Sequence, residues 1–127
     1  MPQDVRLLKV TPTSVELDWK APRKDEQHGQ IRGYGIQYNK IESDLKLNHL
    51  TSDQKPIKLK LSPQSNNSSA TQKQFKYLIT NLDANSTYKF EIFAFNNKGD
   101  GARSLPLVVK TLIKNGKLII YLFIFSL

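Results

Sequence analysis

No cysteine occurs in the 127 residues. A disulfide framework, a thiolate metal site and a cysteine nucleophile are therefore excluded for this chain. The fold must be held by an apolar core, and this length leaves room for one core rather than two. The two histidines, His28 and His49, have no partner histidine or acidic pair at metal-ligand spacing and read as exposed loop residues. No glycine-rich phosphate loop and no nucleophile–histidine–acid set stands out, so no cofactor and no catalytic residue is expected. Nucleic-acid motifs are missing. So are helical periodicity and internal repeats. Met1-Pro2-Gln3-Asp4 lacks the basic start and apolar run of a secretory leader. With an extracellular role, the expectation is a fragment of a longer protein or an incomplete gene reading.

What is present is period-two alternation. At 39% hydrophobic and 24% charged, the composition is that of an ordinary globular domain, which argues against disorder of the whole chain. Residues 14–20 place Val15, Leu17 and Trp19 on one face and Ser14, Glu16, Asp18 and Lys20 on the other. Pro22 then stops the strand, because proline cannot donate to a ladder. Residues 33–40 repeat the pattern with Tyr34, Ile36 and Tyr38. Residues 75–80 give Phe75, Tyr77 and Ile79. Residues 88–95 give Tyr88, Phe90, Ile92 and Ala94, with Phe93 and Phe95 opposite. Residues 105–111 form a weaker last strand.

Turn signals separate these runs at Lys24 to Gly29, Asn81 to Asn85 and Asn97 to Gly101. Between 41 and 74 the pattern thins. Ile57, Leu59 and Leu61 alternate with Lys58 and Lys60, which suggests one more strand. Gln64 to Ser69 has nothing to bury and reads as a flexible loop. Short alternating strands without helices predict an antiparallel sandwich or small barrel.

The order of these marks resembles the fibronectin type III family. Pro2, Thr13-Ser14-Val15, Leu17, Trp19 and Pro22 fit its first two strands, and Gly33-Tyr34-x-Ile36-x-Tyr38 fits the third. Leu82, Thr87-Tyr88-x-Phe90-x-Ile92-x-Ala94-x-Asn96, Gly99-x-Gly101 and Ser104 fit the sixth strand and the loop after it. The resemblance implies an all-β, immunoglobulin-like, seven-stranded antiparallel β-sandwich over residues 1–111, with a long insertion at 41–74. Trp19, Tyr34, Ile36, Tyr38, Leu82, Tyr88, Phe90 and Ile92 are its expected core. Tyr88, six residues after Leu82, stands where a tyrosine corner belongs.

Two stretches are closer still. Lys24 to Tyr34 and Lys98 to Ser104 resemble one ectodomain repeat of LAR-type receptor tyrosine phosphatases. That implies a module on the outer side of the plasma membrane, in a receptor for axon guidance and synaptic adhesion. Its partners would be protein ligands or neighbouring repeats, and membrane attachment would come only through the parent receptor. The family's phosphatase and immunoglobulin domains are absent from this chain. An intracellular structural fibronectin module, or a piece of another neural adhesion receptor, is the alternative.

Three sets of residues are candidate sites. Lys98-Gly99-Asp100 lies on the loop where some fibronectin modules present an integrin-binding tripeptide, although its glycines also suit a tight turn. Residues 1–44 balance seven Lys/Arg against seven Asp/Glu, whereas residues 45–127 carry twelve against four, so the net +8 lies in the second stretch. Within it no acid occurs from 54 to 82. Lys55, Lys58 and Lys60 there are candidate contacts for a sulfated glycan, with edge-strand guarding as the plainer reading. Asn66, Asn67 and Asn85 each begin an N-glycosylation sequon.

Residues 112–127 are expected to lie outside the sandwich. Leu118 to Phe125 is an unbroken apolar run, too short for a spanning helix of about 20 residues. It reads as a read-through or truncated gene model, with a truncated anchor as the second reading.

Overall fold

The computed structural model describes residues 1–24, 27, 29–41, 56–61 and 74–114. Eight strands follow one another: β1 (Gln3–Val10), β2 (Val15–Lys20), β3 (Gly33–Ile41), β4 (Ile57–Leu61), β5 (Gln74–Ile79), β6 (Thr87–Asn96), β7 (Gly99–Arg103) and β8 (Leu107–Lys110). One sheet has the order β1-β2-β5. The other runs β4-β3-β6-β7, with β8 also on β6. Every pairing is antiparallel. No α-helix occurs among the described residues. The architecture is the expected all-β sandwich.

Alternation builds the core directly. Val15, Leu17 and Trp19 of β2 pair with Ile79, Tyr77 and Phe75 of β5, and directly opposed residues share a sheet face. Across the sandwich, Tyr34, Ile36 and Tyr38 of β3 pair with Ala94, Ile92 and Phe90 of β6. All eight expected core residues are buried, joined by Val15, Leu17, Ile79 and Val109. Trp19 meets Tyr34 edge-on at 5.7 Å between ring centroids, and Tyr34 lies 4.5 Å from Phe75, so aromatic contacts tie the sheets together. The tyrosine corner is formed: the Tyr88 hydroxyl accepts a hydrogen bond from the Asp83 amide at 2.8 Å. Thr111 closes the same corner. Its Oγ1 donates to the Asp83 carbonyl at 2.6 Å and accepts from the Ser86 amide at 3.0 Å.

Two details depart from the sequence reading. The expected last strand, 105–111, is present as β8, but a further strand, β7, forms just before it on residues read as turn, with a break between the two and both on the edge of β6 away from β3. Ser104 causes the break. Its amide donates to the Ile92 carbonyl at 2.7 Å, and its Oγ accepts from the Ile92 amide at 2.9 Å, so one buried side chain takes over a ladder position. Pro106 follows, with no amide to donate. The β6–β7 turn is also tighter than Asn97 to Gly101. Asn96 already pairs with Gly99, leaving only Asn97 and Lys98 at the tip. Asn96 Oδ1 caps it by accepting from the Lys98 amide at 2.8 Å, and Gly99 takes φ 137°, a value that favours glycine.

At the other end the corner continues one residue past Thr111. The Leu112 amide donates to the Thr11 carbonyl at 3.3 Å, and the Leu112 carbonyl accepts from the Asn85 amide at 3.0 Å.

Candidate functional site

The outer face of the larger sheet carries the most organised surface. It begins with two glycines. Gly33 and Gly35 of β3 stand in register with Phe95 and Phe93 of β6. A Cβ on Gly35 would come within 2.1 Å of the Phe93 ring, and one on Gly33 within 2.7 Å of the Phe95 ring. The rings therefore lie across the bare backbone of β3 toward β4. There Lys58 Nζ sits 5.0 Å from the Phe93 centroid and Lys60 Nζ 4.9 Å from that of Phe95, both within cation–π range. Phe93 is only 1% exposed although it points away from the core.

Both ammonium groups also meet Asp100 of β7. Lys58 donates to Asp100 Oδ2, and Lys60 lies 3.4 Å from Oδ1. The hydrogen bond from Lys58 holds the Asp100 carboxyl below its ordinary range, with Lys60 adding to the effect against partial desolvation. A strap thus runs from the β4 edge, over two aromatic rings, to the opposite edge of the sheet.

This arrangement brings two of the candidate sets together. Lys58 and Lys60 engage the aspartate of Lys98-Gly99-Asp100, while Lys98 carries no ion pair among the described residues. Lys55, Asn66 and Asn67 lie outside the described residues, as do His28, His49 and the run from Leu118 to Phe125. Asn85 is exposed, in the turn before β6, at φ 51°. Sequence reasoning placed Phe93 and Phe95 opposite the core but missed that they are covered. The available signal was glycine at alternate positions of one strand and phenylalanine at alternate positions of another.

Elsewhere, an open cleft of about 320 Å³ lies between the β2–β3 connection and the β6–β7 hairpin, with Pro22, Ile31, Ala94, Phe95 and Lys98 among its walls. On the outer face of the smaller sheet, Asp18 is buried beneath a fork from Arg6, whose Nε and Nη2 donate at 3.1 and 2.8 Å. Gln74 donates to the same carboxylate at 2.7 Å. The Arg6 hydrogen bonds hold the Asp18 carboxyl below its ordinary range against the opposing cost of burial. Among the described residues no three His, Asp or Glu side chains gather as metal ligands would.

Comparison with known proteins agrees with the geometry. The family model "Fibronectin type III domain" matches residues 1–110. Human receptor-type tyrosine-protein phosphatase F is 31% identical over 111 residues, which cover 87% of this chain and 6% of that protein. The mouse cell adhesion molecule DSCAML1 is 32% identical over 111 residues, covering 87% of this chain and 5% of that protein. The crystal structure of the FN5 domain of Drosophila Lar matches with a TM-score of 0.60 at 28% identity, over 87% of this chain and 94% of that domain. The chain thus spans only a small part of the curated relatives it matches. It belongs to the fibronectin type III domain family, a non-catalytic module, and is similar to repeats of LAR-type receptor phosphatases and of other adhesion receptors.

Proposed function

We propose that this domain is an extracellular adhesion and spacer repeat of a cell-surface receptor of the LAR phosphatase type, taking part in cell adhesion and axon-guidance signalling. The observation that carries the reading is similarity over 87% of the chain to a receptor-type phosphatase and, at the same coverage, to a cell adhesion molecule. The geometry supports binding rather than chemistry. Its organised polar groups are ion pairs and cation–π contacts on sheet faces, and its cleft is walled by the β2–β3 connection together with strands β6 and β7 and their turn, the kind of end-of-sandwich position where loops carry recognition. Protein ligands or adjoining repeats are the partners this surface suits, and any catalysis belongs to other domains of the parent protein.

The test is on the full gene product. Its transcript is sequenced on both sides of this domain, and an epitope-tagged copy is expressed and labelled with a membrane-impermeant biotin reagent. Further receptor repeats in the transcript and surface labelling of the tagged protein are the expected result. A product confined to the cytosol overturns the proposal.

A further inference from the structure

We infer that Asn85 is an N-glycosylation site, the acceptor of an oligosaccharide at the tyrosine corner of the sandwich. The inference rests on the extracellular reading above.

The corner sorts its polar groups into two sets. One set is consumed by folding. The Tyr88 hydroxyl holds the Asp83 amide, the Ser86 hydroxyl donates to the Ala84 carbonyl at 2.9 Å, and Thr111 bridges Asp83 and Ser86. The other set is spared by folding, on an exposed Asn85 and a half-buried Thr87. The Asn85 side-chain amide and the Thr87 hydroxyl make no hydrogen bond among the described residues, although Ser86 between them is bonded on both its amide and its hydroxyl. These two free groups are the acceptor amide and the hydroxyl of an Asn-x-Thr sequon.

Turn chemistry accounts for only half of this. Asn85 at φ 51° is one of the few residue types that tolerate a left-handed backbone. Asn81, at φ 61°, meets the same demand in the same connection, but Asp83 stands two residues after it and no sequon results. The hydroxyl at Thr87 answers no need of the turn. Asn85 is also held in place without its side chain, because its backbone amide donates to the Leu112 carbonyl at 3.0 Å. An attached sugar therefore displaces no structural contact, and it would stand beside Leu112, an apolar residue 42% exposed. In the transfer step the Asn85 amide nitrogen bonds to the anomeric carbon of an oligosaccharide carried on a polyprenyl diphosphate. The bond from that carbon to the diphosphate breaks, the diphosphate leaves with the electron pair, and the nitrogen loses one proton.

The experiment supplies its own secretory leader, so acceptor competence is separated from natural export. The chain is secreted from cultured animal cells with Asn66→Gln and Asn67→Gln, and its mass is read before and after N-glycosidase. The expected result is one enzyme-sensitive oligosaccharide, lost with Asn85→Gln and with Thr87→Ala and retained with Thr87→Ser. Thr87→Ala guards against a folding defect, because it leaves the left-handed Asn85 untouched. A secreted, folded Asn66→Gln/Asn67→Gln protein with no oligosaccharide overturns the inference and leaves the receptor reading standing. Glycosylation behind the supplied leader, with the native gene product confined to the cytosol, upholds the acceptor assignment and removes the receptor reading.

Discussion

Replacing Gly35 by alanine should destabilise the domain, against the usual direction of that change. In an ordinary strand the substitution is favourable, because alanine loses less backbone freedom on folding than glycine, by roughly 0.5–1 kcal/mol. Here the new Cβ would lie 2.1, 2.5 and 2.7 Å from three carbons of the Phe93 ring. The ring cannot keep its place. Overpacking of this kind costs about 1–3 kcal/mol where the ring is squeezed. If the ring instead swings into water, burial worth about 1.5–3 kcal/mol is lost. Its contact with Lys58 then goes too, a further ~0.5–1 kcal/mol at an exposed site. Either route outweighs the backbone gain, so a net loss of about 2 kcal/mol is expected. Urea unfolding followed by Trp19 fluorescence measures it, since Trp19 is the single tryptophan and is buried in the core. The decisive control is Gly35→Ala made in a Phe93→Ala protein, where the clash is gone and the substitution should become neutral or stabilising. A Gly35→Ala protein as stable as wild type, or an equal loss in both backgrounds, would refute the idea that Phe93 occupies the space above Gly35.

Three further outcomes follow from the core and its corner. Trp19→Ala should cost roughly 3–5 kcal/mol in chemical denaturation through the cavity it opens, and an unchanged midpoint would contradict the placement of Trp19 between the sheets. Tyr88→Phe leaves the Asp83 amide without its acceptor and should lower stability by about 1–3 kcal/mol, readable as a drop in Tm. Burial pushes the Tyr34 hydroxyl from 10.0 up to about 12, so the unfolded chain ionises first. The stability Tyr34 contributes is therefore complete below pH 10 and lost as pH rises toward 12; Tyr34→Phe should flatten that alkaline decline, and an identical decline in both proteins would refute the assignment.

The sandwich was legible because its code is local. Val15, Leu17 and Trp19, or Tyr88, Phe90 and Ile92, declare an inner face by alternation alone, and the corner tyrosine lies six residues from Leu82 along the same chain. The strap was not legible, because it depends on register between strands far apart in sequence. The alternate glycines and alternate phenylalanines hint at a cover, but nothing along the chain fixes the register that sets Gly35 against Phe93, or puts Lys58 and Asp100 on one sheet face across two intervening strands. A strand paired one residue out would have turned all of them to the wrong side. The extra strand β7 was missed for a similar reason. Ser104 looks like a loop serine in sequence and becomes a ladder substitute only where it meets Ile92.

The same strap decides how the basic stretch should behave toward sulfated glycans. Lys58 and Lys60 read as two free cations in sequence, yet both contact one carboxylate and each faces an aromatic ring. A sulfate must compete with Asp100, whose carboxylate already accepts from Lys58 and lies 3.4 Å from Lys60. Exposed ion pairs of this kind are worth about 0–1 kcal/mol each, so the competition is real but winnable. Screening acts over about 8 Å at physiological salt, which weakens any longer-range attraction from the rest of the basic surface. Wild-type protein should therefore leave a heparin column at low salt. Asp100→Ala removes the competitor without removing either lysine, and it should elute later. Lys58→Ala/Lys60→Ala should elute earlier than wild type, and adding Asp100→Ala to that pair should restore little. If Asp100→Ala leaves elution unchanged while the double lysine variant shifts it, the lysines reach the polymer without releasing Asp100, and the strap does not gate the surface. If neither variant moves the peak, retention comes from other basic residues and Lys58 and Lys60 act only to hold β4 on the sheet.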